Sequence, residues 1–224
     1  MKLKRIERNQ IKFTSSLVIL FVMFTFCVMA FVRLAREVSE HETLAADVAM
    51  LNAIHAGETH FLDAFIPVAT DIGGVLGATL ITLLIIGLFI YKREYLRAFG
   101  LFACVAGAAL LNVVLKSVFE RARPDLWERL VNEASYSFPS GHAMASAAIG
   151  IGLTVALWNS RWRWWALAAS TIYIVFVGYS RLYLGVHYPT DILAGWLTSG
   201  AWVMAVTLLI RSQLGHKALK NLVK

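Results

Sequence analysis

Six apolar segments divide the chain, and they constrain its fold more than any other feature of the sequence. The first runs over 19 residues, which as a helix reaches about 28 Å, close to the thickness of the hydrocarbon layer of a bilayer. With 58% apolar and 16% charged residues, the composition excludes an ordinary soluble domain. The chain is therefore predicted to be an all-α, polytopic membrane protein with six transmembrane helices, forming one domain over residues 1–224. The predicted spans are residues 14–32, 72–90, 98–115, 143–158, 164–179 and 192–210.

Basic residues are distributed unevenly between the two sides of the predicted membrane. Of the 21 Lys and Arg residues, fourteen lie in residues 1–13, 91–97, 159–163 and 211–224, and seven lie in the opposite loops. The positive-inside rule places the richer set, and both termini, in the cytoplasm. The first apolar segment is too long for a signal peptide and lacks a clear cleavage site, which favours a retained span. We expect a multi-pass protein of the cytoplasmic (inner) membrane, whose net charge of +7 requires no nucleic acid.

The loop between the first two predicted spans, residues 33–71, mixes charged and apolar residues at helical spacing. This pattern predicts an amphipathic helix at the membrane surface. His55, Glu58 and His60 in this loop have side chains that bind metals in other proteins, but two His and one Glu in a polar loop are more often solvated. We expect neither a metal nor a cofactor.

Three polar motifs fall in the loops on the side opposite the termini. In chain order they are the first motif, KSVFERARP (residues 116–124), the second, PSGH (residues 139–142), and the third, SRLYLGVHYPTD (residues 180–191). Four of this side's seven basic residues lie in residues 116–142, against the positive-inside tendency. Such an exception suggests function, so we expect one site on the extracytoplasmic face.

The motifs hold residues suited to binding phosphate. Lys116, Arg123 and Arg181 supply three cations near the membrane boundary. The planar fork of Arg matches phosphate oxygens, and Lys acts as a mobile point charge. Ser140 is a natural N-cap, and Gly141 lets an anion approach the backbone N–H groups at a helix start. Together these residues predict a phosphate-binding site.

The two histidines of the motifs supply chemistry for phosphoryl transfer. His187 and Asp191 are four residues apart, and Pro189 suits the first turn of a helix, so Asp191 is expected to reach one ring nitrogen of His187. The carboxylate then fixes the tautomer while the other nitrogen attacks phosphorus. His142 is predicted to protonate the leaving oxygen and later to activate water. This scheme forms a phosphoenzyme without a metal.

Each of these residues has a simpler interpretation when taken alone. Basic residues at span ends are usually interfacial anchors whose charges reach the headgroups. A histidine at a helix start is usually a hydrogen-bonded polar residue, and a His–Asp pair four residues apart is more often a structural hydrogen bond. Their joint presence on one predicted face, with nothing comparable opposite, favours a catalytic site.

The motifs resemble the signature of the type 2 phosphatidic acid phosphatase superfamily. That signature reads Lys, six residues, Arg-Pro; then Pro-Ser-Gly-His; then Ser-Arg, five residues, His, three residues, Asp, and all eleven positions are filled here. The resemblance implies that His187 is the nucleophile, Asp191 its partner and His142 the general acid. The residues it implies for phosphate binding are Lys116, Arg123, Ser140, Gly141 and Arg181, with Pro124, Pro139 and Ser180 in supporting positions.

The predicted spans favour the bacterial lipid phosphatase branch of that superfamily. Its members resemble phosphatidylglycerophosphate phosphatase B and the undecaprenyl diphosphate phosphatases, so the implied substrates are undecaprenyl diphosphate and phosphatidylglycerophosphate, with phosphatidic acid as a third candidate. Two other functions stay open, namely phosphoryl transfer to a second lipid and anion binding without chemistry by a transporter or scaffold. A haloperoxidase that holds vanadate in the same site is disfavoured by the six spans. The sequence leaves the lipid and the oligomeric state undetermined.

Aromatic residues near the motifs bear on how the site meets the bilayer. They are Trp127, Tyr136, Phe138 and Tyr183. We expect them in the aromatic belt at the membrane interface, and contact with a lipid headgroup or tail is the alternative.

Overall fold

Helices are the only regular secondary structure among the described residues. The computed structural model describes residues 2–128, 131 and 133–222, with side chains over residues 14–128, 131 and 133–213. The regular elements are α1 Lys2–Ser39, α2 Leu44–His55, α3 His60–Ala69, a 3₁₀ turn Thr70–Gly73, α4 Val75–Tyr91, α5 Tyr95–Phe119, α6 Gly141–Leu157, α7 Arg163–Tyr183 and α8 Pro189–Leu222. The predicted all-α class is confirmed for this part of the chain.

Four helices among the described residues are long and apolar enough to cross a membrane. They are Thr14–Ser39 of α1, all of α5, all of α7 and Pro189–Gln213 of α8. The helical stretch ending at Gly73 and the following α4 meet at a 50° bend, and they make a fifth span if the bent pair counts as one. With 17 residues, α6 falls just short of spanning length, so the sixth span stays a prediction.

Large apolar side chains cover the outer surface of the helices. On α1, Phe21 and Phe26 are 60% and 67% exposed, and on α4, Val75 and Leu84 are 89% and 66% exposed. In water, so much contiguous apolar surface would drive association, whereas lipid tails accommodate it. The chain is a membrane protein, and we infer that these faces meet the lipid.

The central helix of the bundle is α6, which packs against α5, α7 and α8. Small buried residues such as Ala148 and Gly150 let the neighbouring helices come close. At Gly150 a Cβ atom would lie 2.8 Å from Cδ1 of Ile174 on α7, so a larger residue requires the Ile174 side chain to move. This packing fixes the position of Gly141 and His142, the first two residues of α6 and the last two of the second motif.

The segment between α1 and α4 forms two helices where a single amphipathic helix was predicted. α2 ends at His55, and Thr59 caps α3 by accepting the N–H of Leu62 at 3.4 Å. α2 contacts α7 and α8 and buries Asp47 and Leu51, while α3 contacts α7. Both helices therefore lie against the end of the bundle that carries the motifs. Their location at the membrane surface stays a prediction.

Two aromatic residues expected at the membrane interface are buried in protein. Phe138 is 0% exposed, with its ring centroid 6.1 Å from that of Phe31 and 4.8 Å from that of Phe119. Tyr183 is 1% exposed, and its hydroxyl donates to Oδ1 of Asp63 at 2.5 Å. The expectation of a belt position was wrong for both, because helix ends from distant parts of the sequence cover these rings.

Candidate active site

Ser140 precedes α6 and caps it, as the sequence predicts. Its Oγ accepts the N–H of Ala143 at 3.4 Å. Its own N–H donates to the carbonyl oxygen of Asp191 at 3.1 Å, which joins the second motif to the third. Gly141 lies so close to α5 that a Cβ atom there would be 3.0 Å from Oδ1 of Asn112. The start of α6 is thus held against both α5 and α8.

The turn between α7 and α8 places His187 at the buried end of the bundle. Pro189 is the first residue of α8, as predicted, and the His187 side chain is 1% exposed. Nδ1 of His187 lies 3.3 Å from Oδ2 of Asp191, one helical turn later. The same oxygen accepts the N–H of Tyr188 at 2.8 Å and the hydroxyl of Ser137. The carboxylate of Asp191 is therefore fixed behind the imidazole.

The other ring nitrogen of His187 faces a guanidinium. Nε2 lies 3.1 Å from Nη1 of Arg123. Because an arginine has no acceptor, Nε2 must be the acceptor and hold a lone pair, and the ring proton sits on Nδ1, toward Asp191. Burial lowers the pKa of His187 to about 4, which Arg123 and Arg181 reinforce and Asp191 opposes. At neutral pH this imidazole is uncharged, with a lone pair on Nε2 that accepts from Arg123.

The first motif reaches the third through the loop that follows it. Nε of Arg123 donates to the carbonyl oxygen of Ser135 at 2.7 Å, and its Nη1 donates to the carbonyl oxygen of Val186 at 2.8 Å. Lys116, at the end of α5, donates to Oγ of Ser135 at 2.7 Å. The two cations of the first motif therefore share a partner in Ser135, and both line the cavity that His187 also lines.

The third cation, Arg181, joins this cluster from α7. It is 2% exposed, and its Nη1 donates to Oγ1 of Thr70 at 3.2 Å. Its Nη2 pairs with Oε1 of Glu133, whose other oxygen lies 3.5 Å from Nη2 of Arg123. One carboxylate thus bridges two of the predicted phosphate-binding cations.

A cavity of about 340 Å³ opens at this cluster. Its polar lining includes Lys116, Arg123, Glu133, Ser135, Gly141, His142 and His187. His142 reaches across the cavity toward α4, because a Cβ atom on Gly74 would lie 3.3 Å from His142 Nε2. Three of the predicted residues contact this lining from outside it. Asp191 contacts His187, Arg181 contacts Glu133, and Ser140 directly precedes Gly141 as the N-cap of α6. The structure therefore brings all eight predicted catalytic and phosphate-binding residues to one place.

The three supporting positions have packing and hydrogen-bonding contacts. Pro124 is buried, and the carbonyl oxygen of Pro139 accepts Nδ2–H of Asn112 at 3.0 Å. Ser180 is 0% exposed, and its hydroxyl donates to the carbonyl oxygen of Val177 at 2.7 Å. These contacts hold the motif backbones in place.

Several polar residues of the site were not singled out from the sequence. They include Asp47, Arg121, Glu133, Ser135 and Ser137, and each of these contacts a motif residue. Arg121 lies inside the first motif, and Asp47 is a lone acid in the apolar stretch LAADVAMLNAIH, so both carried a signal. Glu133 and Ser137 lie in an irregular loop, where no spacing rule predicts a contact.

No three His, Cys, Asp or Glu side chains lie close enough to hold a metal ion within the described ranges. This covers the loop residues His55, Glu58 and His60. His55 pairs with Glu58 at 2.7 Å and stacks on Trp127 with ring centroids 4.0 Å apart.

Comparisons with known proteins show which family the chain belongs to. The chain is 33% identical over 178 residues to phosphatidylglycerophosphatase B of Bacillus subtilis strain 168, which covers 74% of this chain and 83% of the relative. It is 32% identical over 145 residues to an undecaprenyl-diphosphatase of Sulfolobus acidocaldarius, covering 61% and 66% of the two chains. The crystal structure of a transmembrane PAP2-type phosphatidylglycerolphosphate phosphatase from Bacillus subtilis matches with a TM-score of 0.74 and 28% identity, over 82% of this chain and 94% of that one. The profile of the PAP2 superfamily matches residues 97–214, just over half of the sequence and all three motifs, and the chain therefore belongs to that superfamily.

Proposed function

We propose that the protein removes the terminal phosphate of a membrane lipid phosphate or diphosphate through a phosphohistidine on His187. One observation carries the proposal: Nε2 of His187 holds a lone pair beside Arg123, while Nδ1 is held by Asp191. A neutral, oriented imidazole beside three cations is suited to attack a phosphate. The named phosphatases among the relatives support hydrolysis.

The reaction proceeds in two displacements. In the first, Nε2 of His187 forms a bond to phosphorus, the bond from phosphorus to the lipid oxygen breaks, and His142, which begins the step protonated, gives that oxygen its proton. In the second, His142 takes a proton from water, the water oxygen bonds to phosphorus, and the phosphorus–nitrogen bond breaks. Asp191 stays ionised throughout and stabilises the positive charge on the ring. His187 and His142 end each cycle in their starting states.

The three cations bind the phosphate in this scheme. Lys116, Arg123 and Arg181 offset the negative charge on the phosphate oxygens, and the N–H groups at the start of α6 add neutral donors. The cations supply the charge that a metal provides in other phosphatases, so we expect activity in the presence of a chelator.

The cavity supports a lipid as the substrate. Away from the motifs, its lining is mostly apolar and comes from α4 and α5, including Val75, Ala78, Val105 and Val113. Val75 is 89% exposed and Val113 is 67% exposed, so this wall continues onto the outer surface of the bundle. A phosphate at His187 can therefore keep its tail between α4 and α5, in contact with the bilayer. The names of the two relatives make phosphatidylglycerophosphate and undecaprenyl diphosphate the first candidates, with phosphatidic acid third.

The distribution of basic residues supports one orientation in the membrane. Both termini lie in the cytoplasm of this scheme, and the site faces the extracytoplasmic side of the cytoplasmic membrane. A lipid in the outer leaflet then reaches the cavity without crossing the bilayer.

The proposal is tested by phosphate release from the purified protein in detergent with excess chelator. Phosphatidylglycerophosphate, undecaprenyl diphosphate and phosphatidic acid are compared for the wild type, His187→Ala and the matched control His60→Ala, which changes an exposed histidine of α3. We expect release from at least one lipid by the wild type and the control, and none by His187→Ala. Folded protein that is silent on all three lipids would contradict hydrolysis and favour transfer to a lipid acceptor.

A further inference from the structure

Asp47 is a buried carboxylate outside the three motifs. It lies on α2 and is 2% exposed. Its Oδ1 accepts the N–H of Thr190 at 3.1 Å, and its Oδ2 accepts the hydroxyl of Thr190 at 2.6 Å. Thr190 is the second residue of α8, so Asp47 satisfies a free N–H in the first turn of that helix from a distant part of the chain. The next residue of α8 is Asp191.

Arg121 links Asp47 to the site. Its Nη2 donates to Oδ2 of Asp47 at 2.9 Å, and its Nη1 donates to Oδ1 of Asp191 at 2.6 Å. Nη1 also donates to Oγ1 of Thr190 at 2.8 Å, and the guanidinium carbon lies 4.2 Å from the ring centroid of Tyr188. The Arg121 side chain is 14% exposed. Its fork therefore lies between two buried carboxylates and on one aromatic face.

The two oxygens of Asp191 have separate partners as a result. Oδ2 faces Nδ1 of His187, and Oδ1 faces Arg121. Rotation of the carboxylate away from His187 would break the contact with Arg121, and movement of Arg121 would leave Asp47 buried without its cation. Loss of one partner of a buried ion pair is costly, which opposes both movements.

We propose that Asp47 and Arg121 are positioning residues for the reaction, which hold Asp191 ionised and oriented so that Nε2 of His187 points at phosphorus. The inference rests on the proposed function of His187. Neither residue touches the phosphate in this proposal. Their effect is therefore expected on the rate of the chemical step and not on substrate binding.

The test compares Arg121→Ala and Arg121→Lys in the full-length protein, with kcat and KM measured for the best lipid substrate. We expect the kcat of Arg121→Ala to fall about 100-fold with KM within about threefold of wild type. Two changes are expected to raise kcat about tenfold above that of Arg121→Ala. One is Arg121→Lys, and the other is the addition of guanidinium ions, below denaturing concentration, to Arg121→Ala. Each returns a cation to the space between the carboxylates. A residue that only braces α2 against α8 would give no such rescue.

Asp47→Asn keeps the shape of the side chain and an oxygen for Thr190 but removes the charge. It therefore tests the positioning role of Asp47 and Arg121 even where Arg121→Ala does not fold. We expect its kcat to fall about tenfold at unchanged KM. Arg36→Ala is the matched control, since Arg36 is 77% exposed and pairs with Glu40 away from the motifs. The control is expected to match wild type.

The outcomes separate this inference from the proposed function. A wild type that releases phosphate, with Arg121→Ala and Asp47→Asn equal to it in kcat, would overturn the positioning role alone. A lower kcat in Arg121→Ala that neither guanidinium nor Arg121→Lys restores would also overturn it. A wild type with no activity on any lipid, indistinguishable from His187→Ala, would overturn the proposed function itself.

Discussion

The two sides of the His187 ring differ in how their partners are held. Behind the ring, Asp191 and Asp47 are 0% and 2% exposed, and protein donors occupy both oxygens of each. In front of it, Arg123 and Arg181 contact Glu133, whose side chain is 26% exposed and lies on an irregular loop. No incoming group can replace the buried contacts of Asp191 and Asp47 behind the ring. An incoming phosphate can replace Glu133 as the partner of Arg123 and Arg181 in front of it. The difference indicates a fixed nucleophile facing a site whose partners exchange during the reaction.

The largest effect is expected at the rear, with Asp191→Asn. The amide keeps the shape of the side chain but removes the charge that stabilises the ring as it bonds to phosphorus, and it no longer enforces the Nδ1–H tautomer. We expect kcat to fall about 10³- to 10⁴-fold, with KM within about threefold. Initial rates in detergent measure the effect, and Asp63→Asn, which alters the carboxylate bound to Tyr183, is the control. A kcat within tenfold of wild type would show that the rear of the ring is dispensable.

A smaller effect is expected at the front, with Arg181→Lys. The ammonium keeps the charge but loses the planar fork that matches phosphate oxygens. We expect kcat/KM to fall about 100-fold, and inhibition by vanadate, a phosphate analogue, to weaken in parallel. Arg33→Lys, on an arginine whose side chain is 83% exposed, is expected to leave both values unchanged. Unaltered vanadate inhibition in Arg181→Lys would remove Arg181 from the phosphate site.

The protonation of His187 provides a test of its burial. With a pKa of about 4, the imidazole stays neutral at pH 5.5, where an ordinary histidine is about nine-tenths protonated. An NMR titration of ¹⁵N-labelled histidines in detergent, assigned with His187→Gln, measures this directly. An apparent pKa of 6.5 or more would contradict the buried, neutral ring.

The same pKa makes a prediction for stability. The unfolded chain takes up a proton on His187 below about pH 6.5, and the folded chain does so only near pH 4, so acidification through this window favours unfolding. Stability is therefore expected to rise with pH between these values, and His187→Gln should flatten that dependence in thermal unfolding. An equal slope in both proteins would rule out this linkage.

The smallest effect is expected with Glu133→Gln. The change removes the charge that competes with phosphate for Arg123 and Arg181. We expect KM to fall about threefold with kcat unchanged, and Glu40→Gln, in the exposed turn after α1, to have no effect. A large loss of kcat would instead show that Glu133 is needed for the reaction itself. It would then not be a replaceable partner of the two arginines, and the two sides of the His187 ring would not differ as described.

Much of the site could be predicted from residue types and spacings within a few positions of the chain. The N-cap at Ser140, the helix start at Pro189 and the approach of Asp191 to His187 all depend on spacings of four residues or fewer. Membrane spans follow from apolar length in the same way. These features depend on the geometry of a single helix, so they can be predicted without knowing which other helices pack against it.

The features that the sequence did not predict depend on contacts between distant segments. Asp47 meets Arg121 and Thr190 across separations of 74 and 143 residues, and no periodicity specifies such pairs. Phe138 is buried because α1 and α5 cover it. The break between α2 and α3 is different, since Gly57 and the N-cap Thr59 mark it locally and were available as signals.

The most direct test of the central claim is the stereochemical course at phosphorus. A lipid monoester whose phosphate carries sulfur and ¹⁸O in known configuration is hydrolysed in ¹⁷O-labelled water, and the configuration of the released thiophosphate is determined. Two displacements, with His187 bonded to phosphorus between them, predict overall retention. Inversion would mean that water attacks the lipid phosphate directly, and it would contradict a phosphohistidine intermediate.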